Sequence, residues 1–324
     1  MDVTSGTLQT VDETRNRELR MLRADLGPAV LAALADAATT DVYLNPDGTL
    51  RQTCLGASPK VIGRMGPSQA EALICTAAAL LKTTVTSERP LLEGELPTGE
   101  RFTAQLSPVV TAPTFAIRKP ASSVYTLEQY VGQGTLSPDQ AQRLTQAVAG
   151  RKNLVISGGM GTGKTTLANA ILQAISVAHP EDRLLILEDT RELQPSSADV
   201  VAFRAQEHVS LTQLVRASLR MTPTRILVGE VRGPEARDLL VCWNLGHPGG
   251  LCTVHADSAS AALDRLELLV DMHPQAPRHL ARLIVAAAPI IVHLERDPAR
   301  GRRVTEILEV TGHHREDGYQ TTPF

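Results

Sequence analysis

Aromatic side chains supply only 3 % of this chain, as one Trp, four Tyr and four Phe. So few rings leave little stacking surface for single-stranded nucleic acid. Basic residues (32) do not outnumber acidic ones (35), and the net charge is -3. The basic excess on which non-specific duplex binding rests is therefore missing. Four cysteines, Cys54, Cys75, Cys242 and Cys252, are too sparse and scattered for a disulfide framework in 324 residues, which points to a reducing compartment. The longest apolar stretches, such as 284–292, fall well short of the ~18 residues that span a bilayer. The opening Met1-Asp2 has no basic stretch with an apolar run behind it, so no signal peptide is expected. Repeats and low-complexity tracts are absent too. A soluble, cytoplasmic protein is expected.

What is present is ordinary globular composition, 43 % hydrophobic and 21 % charged, over a length that suggests two domains. Residues 1–16 are polar without periodicity and are expected to form a loose tail. A smaller α+β domain is expected over 17–120. Its opening helical pattern breaks at Gly27-Pro28, and Asn45-Pro46-Asp47-Gly48 marks a turn between two strands. A helix over 67–82 carries Ala70, Leu73, Ile74, Ala77, Ala78 and Leu81 at helical spacing. Strand-like pieces follow around 91–95, 101–106 and 114–118. The segment 119–123 reads as the linker.

From 121 to 312 the pattern changes. A helix over 137–149 opens with Ser137-Pro138-Asp139-Gln140, an N-cap with Pro at the first helical position and Gln at the third. Short β-branched runs at 154–157, 184–187, 200–203, 226–228, 251–254, 290–294 and 304–310 then alternate with helical segments. That alternation is the pattern of βαβ units and a parallel sheet, hence an α/β class for this domain. The segment 313–324 is polar and is expected to be a frayed tail.

The first of these strands runs into Gly158-Gly159-Met160-Gly161-Thr162-Gly163-Lys164-Thr165-Thr166 and then into an apolar-periodic helix. This is a G-x4-G-K-T loop in strand–loop–helix context. Its glycines let successive backbone N–H groups converge on phosphate oxygens at a helix N-terminus. In that chemistry Lys164 reaches the β- and γ-phosphates of ATP, and the Thr165 hydroxyl ligates Mg²⁺.

Two acidic segments close later strands, Glu188-Asp189-Thr190-Arg191-Glu192 and Gly229-Glu230. Gly229 stands where many phosphate-loop enzymes place a Mg²⁺-binding Asp, so Glu230 is expected to act on the metal's water shell. Glu188 is the better candidate to orient the attacking water, although the choice of base between Glu188 and Glu230 stays open. Either acid could instead be a solvated strand end. His247 sits in a Gly/Pro loop, while His255 ends the next strand, where ligands bind in open α/β sheets. Cys242, His247, Cys252 and His255 have zinc-ligand chemistry, but their spacings do not resemble usual structural zinc sites, and strand alternation puts Cys252 and His255 on opposite faces.

Together these boxes resemble the type II/type IV secretion ATPase superfamily. Trp243-Asn244, Gly246-His247-Pro248-Gly249-Gly250 and Thr253-Val254-His255-Ala256 are most similar to its conjugative, type IV secretion branch. Asn45-Pro46-Asp47-Gly48, Glu100-Arg101-Phe102 and Phe115-Ala116-Ile117-Arg118-Lys119-Pro120 agree, and the resemblance covers roughly residues 20 to 312. Leu245 where Thr is usual, Asp257 where Asn is usual, and Met221-Thr222-Pro223-Thr224 depart from the pattern, none of them in the phosphate loop.

The resemblance implies a RecA-like ATPase domain preceded by a PAS-like domain, assembled as a homohexameric ring at the cytoplasmic face of the inner membrane. Inner-membrane channel and coupling proteins would be its partners, and pilus assembly or substrate transfer its work. His255 would read the γ-phosphate, and His247 would lie at the nucleotide. Arg101 and Arg118 would meet the phosphates, a task that suits a planar cation which cannot lose its proton; the plain alternative is a pair of solvated surface arginines. The rival readings are a pilus-retraction or type II secretion motor, which the histidine box and the missing four-cysteine insertion oppose, and a DNA-processing RecA-like ATPase.

Overall fold

The computed structural model describes residues 4–54, 57–120, 124–206, 208–287, 289–297, 299–314 and 316–324. The chain divides into two compact units, Met1–Ser122 and Ser123–Phe324. The core of the expected linker, 121–123, lies outside the described residues. Among the described residues, no helix is long and apolar enough to cross a membrane.

The first unit starts with α1 (Thr4–Ala35), followed by β1 (Thr39–Leu44), β2 (Thr49–Cys54), β3 (Lys60–Arg64), α2 (Pro67–Leu80), β4 (Leu91–Glu95), β5 (Arg101–Gln105) and β6 (Thr114–Arg118). Its strands form an antiparallel sheet in the order β3-β2-β1-β6-β5-β4. Leu22, Leu26 and Val30 of α1 and Leu73, Ile74 and Ala77 of α2 are buried in one core with Val42, Phe102 and Ile117 of the strands. The expected break in α1 is there: Gly27 leaves helical geometry at φ 72°, ψ 168°. The expected loose tail 1–16 is corrected, because α1 already begins at Thr4. Once packed residues such as Leu22 and Leu26 have nucleated a helix, each further polar residue adds a backbone hydrogen bond without needing an apolar face.

The second unit contains α3 (Leu127–Gly132), α4 (Pro138–Ala149), β7 (Leu154–Gly158), α5 (Lys164–Ala178), β8 (Leu184–Glu188), β9 (Val200–Arg204) and α6 (Leu211–Ser218). It continues through β10 (Arg225–Val228), α7 (Glu235–Asn244), β11 (Leu251–Val254), α8 (Ala259–Asp271), α9 (Leu280–Ala287), β12 (Ile290–Asp297), β13 (Gly301–His314) and β14 (Gly318–Pro323). The sheet order is β14-β13-β12-β7-β11-β10-β8-β9. The six strands from β12 to β9 run parallel, and β13 and β14 add an antiparallel edge.

Both faces of the sheet's centre are covered, so β7, β8, β10 and β11 are buried at every position. Leu154 and Ile156 of β7 pack with α3, α4 and α5, whereas Val155 between them packs with α6 to α9. The capping box at Ser137 and Gln140 forms as the sequence predicts. The expected frayed tail 313–324 is corrected: β13 runs to His314, and β14 returns along it. A polar edge strand shows no apolar alternation, and its anchors are tertiary. The Tyr319 hydroxyl donates to Glu267 at 2.6 Å, and the Phe324 N–H donates to the Ile307 carbonyl.

Candidate nucleotide site

β7 ends at Gly158, and the loop from there to Gly163 delivers the chain into α5. Gly161 and Gly163 have φ values of 71° and 100°, a conformation that only glycine adopts freely. Those turns make the concave loop at the start of α5. Thr162 closes it with a hydroxyl bond to the Gly159 carbonyl at 3.0 Å, while Met160 at the tip is exposed. Thr166 follows Thr165 in the first turn of α5.

The Lys164 ammonium occupies the loop. It donates to the carbonyls of Gly158 and Gly159, each at 3.0 Å, and to His255 Nδ1 at 3.2 Å. An ammonium can only donate, so Nδ1 of His255 accepts and the ring's proton sits on Nε2. Burial pulls the Lys164 amine below the ordinary lysine value, with Glu230 opposing. Burial and the neighbouring Lys164 charge also lower His255 below its ordinary value, so its ring is neutral at pH 7.

Parallel pairing explains why these residues meet. Val254 of β11 is the partner of Ser157 of β7, so His255 emerges beside Gly158. His255 Nε2 lies 2.9 Å from Glu230 Oε1, at an angle outside hydrogen-bond geometry, which leaves that oxygen without a hydrogen-bond partner. Arg232 forks between Glu230 (2.7 Å) and Asp189 (2.8 Å). Lys164, His255, Glu230, Arg232 and Asp189 thus form one chain of contacts across the carboxyl ends of β7, β11, β10 and β8.

Glu188, the last residue of β8, is 3 % exposed. Its Oε1 accepts the N–H groups of Glu192 and Leu193, both at 2.9 Å. Burial nevertheless pushes its carboxyl up to about 7, with Glu192 and Asp189 adding to the rise. The glycine at 229 now has a reason: a Cβ there would lie 2.8 Å from Glu188 Cγ and 3.0 Å from Oε1. The residue that follows β10 gives up a side chain so that the acid on β8 has room.

Two neighbours of the loop were not read from the sequence. The Thr165 hydroxyl donates to Glu192 Oε2 at 2.9 Å, and Asn169 of the same helix donates to the Glu192 carbonyl at 3.0 Å. Arg302 of β13 donates to the Gly161 carbonyl at 3.3 Å. Glu192 follows Glu188 by four residues, which was a usable signal. Arg302 had none, because β13 reaches the loop only through the sheet order.

His247 does not join this group. Its Nδ1 donates to the Pro223 carbonyl at 3.0 Å, just ahead of β10, and Gly250 in the same loop donates to the Asn153 side chain just ahead of β7. The loop around His247 therefore lies at the amino ends of the strands, opposite the phosphate loop, and the expected nucleotide contact of His247 is corrected for this unit. Cys242 and Cys252 pack in the apolar core with Trp243, and burial pushes the Cys242 thiol up to about 12. Arg101 and Arg118 belong to the first unit, where they are paired on neighbouring strands and Arg118 binds Asp41 at 2.8 Å.

The Thr165 hydroxyl and the Glu192 carboxylate beside it are oxygen donors, the chemistry a small hard dication prefers. The loop above offers N–H groups and an ammonium, the chemistry of a polyphosphate. The residues present fit Mg²⁺ and ATP.

Comparison with known proteins agrees with this geometry. The family model for type II/IV secretion system proteins matches residues 29–309. Conjugal transfer protein TrbB of Rhizobium radiobacter is 42 % identical over 307 residues, 94 % of either chain. The probable conjugal transfer protein TrbB of Sinorhizobium fredii is 43 % identical over 295 residues, 91 % of this chain and 90 % of that one. The ATPase DotB of Yersinia pseudotuberculosis superposes with a TM-score of 0.61 at 18 % identity, over 89 % of this chain and 78 % of that one, a likeness of fold. With its phosphate loop, paired acids and a family match across most of its length, the chain is an ATPase of the type II/IV secretion system protein family.

Proposed function

We propose that this chain is the motor of a conjugative type IV secretion system, working as a homohexameric ring peripheral to the cytoplasmic face of the inner membrane. The likeness to the two TrbB proteins over nearly their whole length supports the conjugative role. In this reading the second unit is RecA-like, the first is PAS-like, and inner-membrane channel and coupling proteins receive the movement. The observation that carries the catalytic part is the contact chain from Lys164 through His255 to Glu230, with buried Glu188 beside it.

Lys164 has all three of its protons engaged within the protein, so nucleotide phosphates replace the Gly158 and Gly159 carbonyls as its acceptors. His255 holds the other side of the ammonium and passes its position to Glu230. A carboxyl poised near neutrality suits a general base, which favours Glu188 as the group that orients and deprotonates the attacking water. Glu230, already tied to Arg232, is left to position. Mg²⁺ would sit at Thr165 with Glu192 and, through water, Glu230, where it would neutralise developing phosphate charge.

The test is Mg²⁺-dependent ATP hydrolysis by the purified chain. Lys164→Ala should abolish turnover while circular dichroism and melting stay native, because the loop backbone supplies its own shape. Wild-type turnover in that variant would overturn the assignment. Native mass measurement with and without ATP tests the hexamer. The proposed phosphate role of Arg101 and Arg118 fails if their double alanine variant hydrolyses ATP at the wild-type rate.

A further inference from the structure

Ser157 and His293 form a buried polar pair that the chemistry proposed above does not use. Ser157 stands on β7 just ahead of Gly158, and His293 is its partner on the parallel neighbour β12. They are 0 % and 1 % exposed, and Ser157 Oγ lies 2.9 Å from His293 Nδ1. Strand alternation puts both on the sheet face of Val155 and Ile291, which packs with α6 to α9. An apolar layer of that kind gains nothing from a hydroxyl and an imidazole, whose burial costs free energy unless both are bonded.

The ring has a second attachment. It hydrogen-bonds to the backbone of Asp257, a contact that favours its protonated form, and its Nε2 faces Glu295 Oε1 at 3.6 Å. Burial nevertheless holds the imidazole below its ordinary value, against the charges of Glu295, Glu306 and Asp257, so the ring is neutral at neutral pH. With a carboxylate facing Nε2, the one ring proton sits there, and Nδ1 accepts from the Ser157 hydroxyl. Glu306, opposite His293 on β13, accepts the Ala259 N–H at 2.9 Å. The segment from Asp257 to the start of α8 is thus tied down at two places, once to β12 and once to β13.

These ties close a ring of contacts around Lys164. Its ammonium donates to the Gly158 carbonyl and to His255 Nδ1. Ser157 directly precedes Gly158, and Asp257 follows His255 by two residues. His293 bridges Ser157 and Asp257 from behind. A Cβ on Gly158 would collide with the Leu294 carbonyl, so β12 is seated tightly against the start of the loop. The ladder between β11 and β7 ends at the pair Val254↔Ser157, and His255 lies just beyond it. Once phosphates replace the loop carbonyls on Lys164, the place of His255 depends on how the segment behind it is held.

We propose that His293 is a positioning residue for ATP hydrolysis: by bridging Ser157 and Asp257 it fixes His255 relative to the phosphate loop. The inference rests on the ATPase reading and concerns a side chain that touches neither nucleotide nor metal. The experiment is steady-state hydrolysis of ATP with Mg²⁺ by the full chain, with melting measured alongside. Ser157→Ala combined with His293→Leu replaces both polar partners by apolar groups and leaves neither unpaired, so the double variant should melt like the wild type. Its kcat should fall by about tenfold or more, the scale of a misplaced reacting group, while KM for ATP stays within about twofold. His293→Gln, whose amide can still donate toward Asp257, should recover most of that loss. Ser157→Ala alone should lower kcat several-fold without a change in melting.

A pair that serves the fold alone would lower the melting temperature and leave kcat at the wild-type value. That result, a raised KM at unchanged kcat, or a His293→Gln variant as impaired as the double variant would each overturn the proposal. Should the double variant fail to fold, Ser157→Ala decides, and a wild-type kcat there overturns it. Absence of hydrolysis by the wild-type chain would instead overturn the ATPase reading itself, so the two failures are distinguishable.

Discussion

Glu188 carries an electrostatic cost that the proposed role of general base would explain. Burial holds its carboxyl at about 7, against an ordinary value of 4.5, and the difference corresponds to about 3 kcal/mol at pH values above both. The sign follows from proton counting. Between the two values the folded chain keeps a proton that the unfolded chain has lost, so this group's contribution to stability falls as pH rises through that window. Glu188→Gln keeps an oxygen to accept the N–H groups of Glu192 and Leu193 but cannot ionise. It should stabilise the chain at pH 8 by up to about 3 kcal/mol in denaturant titrations while eliminating hydrolysis. In the wild type, turnover should rise as pH increases through about 7, as the base loses its proton; an acid-side limb far below neutrality would argue against Glu188. Gly229→Ala tests the same residue from the other strand. The added methyl meets Glu188 Cγ at 2.8 Å, so turnover should fall sharply while nucleotide affinity, measured by calorimetry, holds.

At the scale of elements, the loops at the two ends of the parallel sheet differ in kind. The carboxyl-end loops carry chemistry, and the amino-end loops are clamped. Arg225, at the start of β10, is 0 % exposed; it donates to Asp182 at 2.6 Å and to the Gly249 carbonyl at 3.0 Å in the loop after His247. Asp182 also takes both arms of the Arg151 fork. Arg225→Met removes one partner of a buried pair and should cost about 3–5 kcal/mol, read as a shift in denaturant midpoint. These clamps were not legible in the sequence, where Arg225 looks like any charged residue before a strand. The strands themselves were. Runs such as 154–157 and 184–187 are β-branched and leucine-rich because both sheet faces are covered, and the Ser137 capping box announced α4 from four residues. β14 escaped notice because an edge strand held by Tyr319 and Phe324 needs no apolar alternation.

For the whole molecule, two units each bury their own core, and neither the net charge of -3 nor the 3 % aromatic content supports a nucleic-acid track. Single- or double-stranded DNA should leave the hydrolysis rate unchanged at moderate salt; strong stimulation would favour a DNA-processing enzyme. The sequence by itself determined the α/β class, the phosphate loop with Lys164 and Thr165, the acids at strand ends and the break at Gly27. All of these depend on interactions within a few residues: a glycine at positive φ, a cap, an apolar run. Only the tertiary structure decided that Lys164 meets His255 across 91 residues of chain. It also put Glu192 under Thr165, Arg302 at the loop's far rim and His247 at the opposite end of the strands. Those placements follow from the order in which parallel strands lie beside one another. Local periodicity does not encode that order, because a strand covered on both faces presents the same apolar pattern to any neighbour.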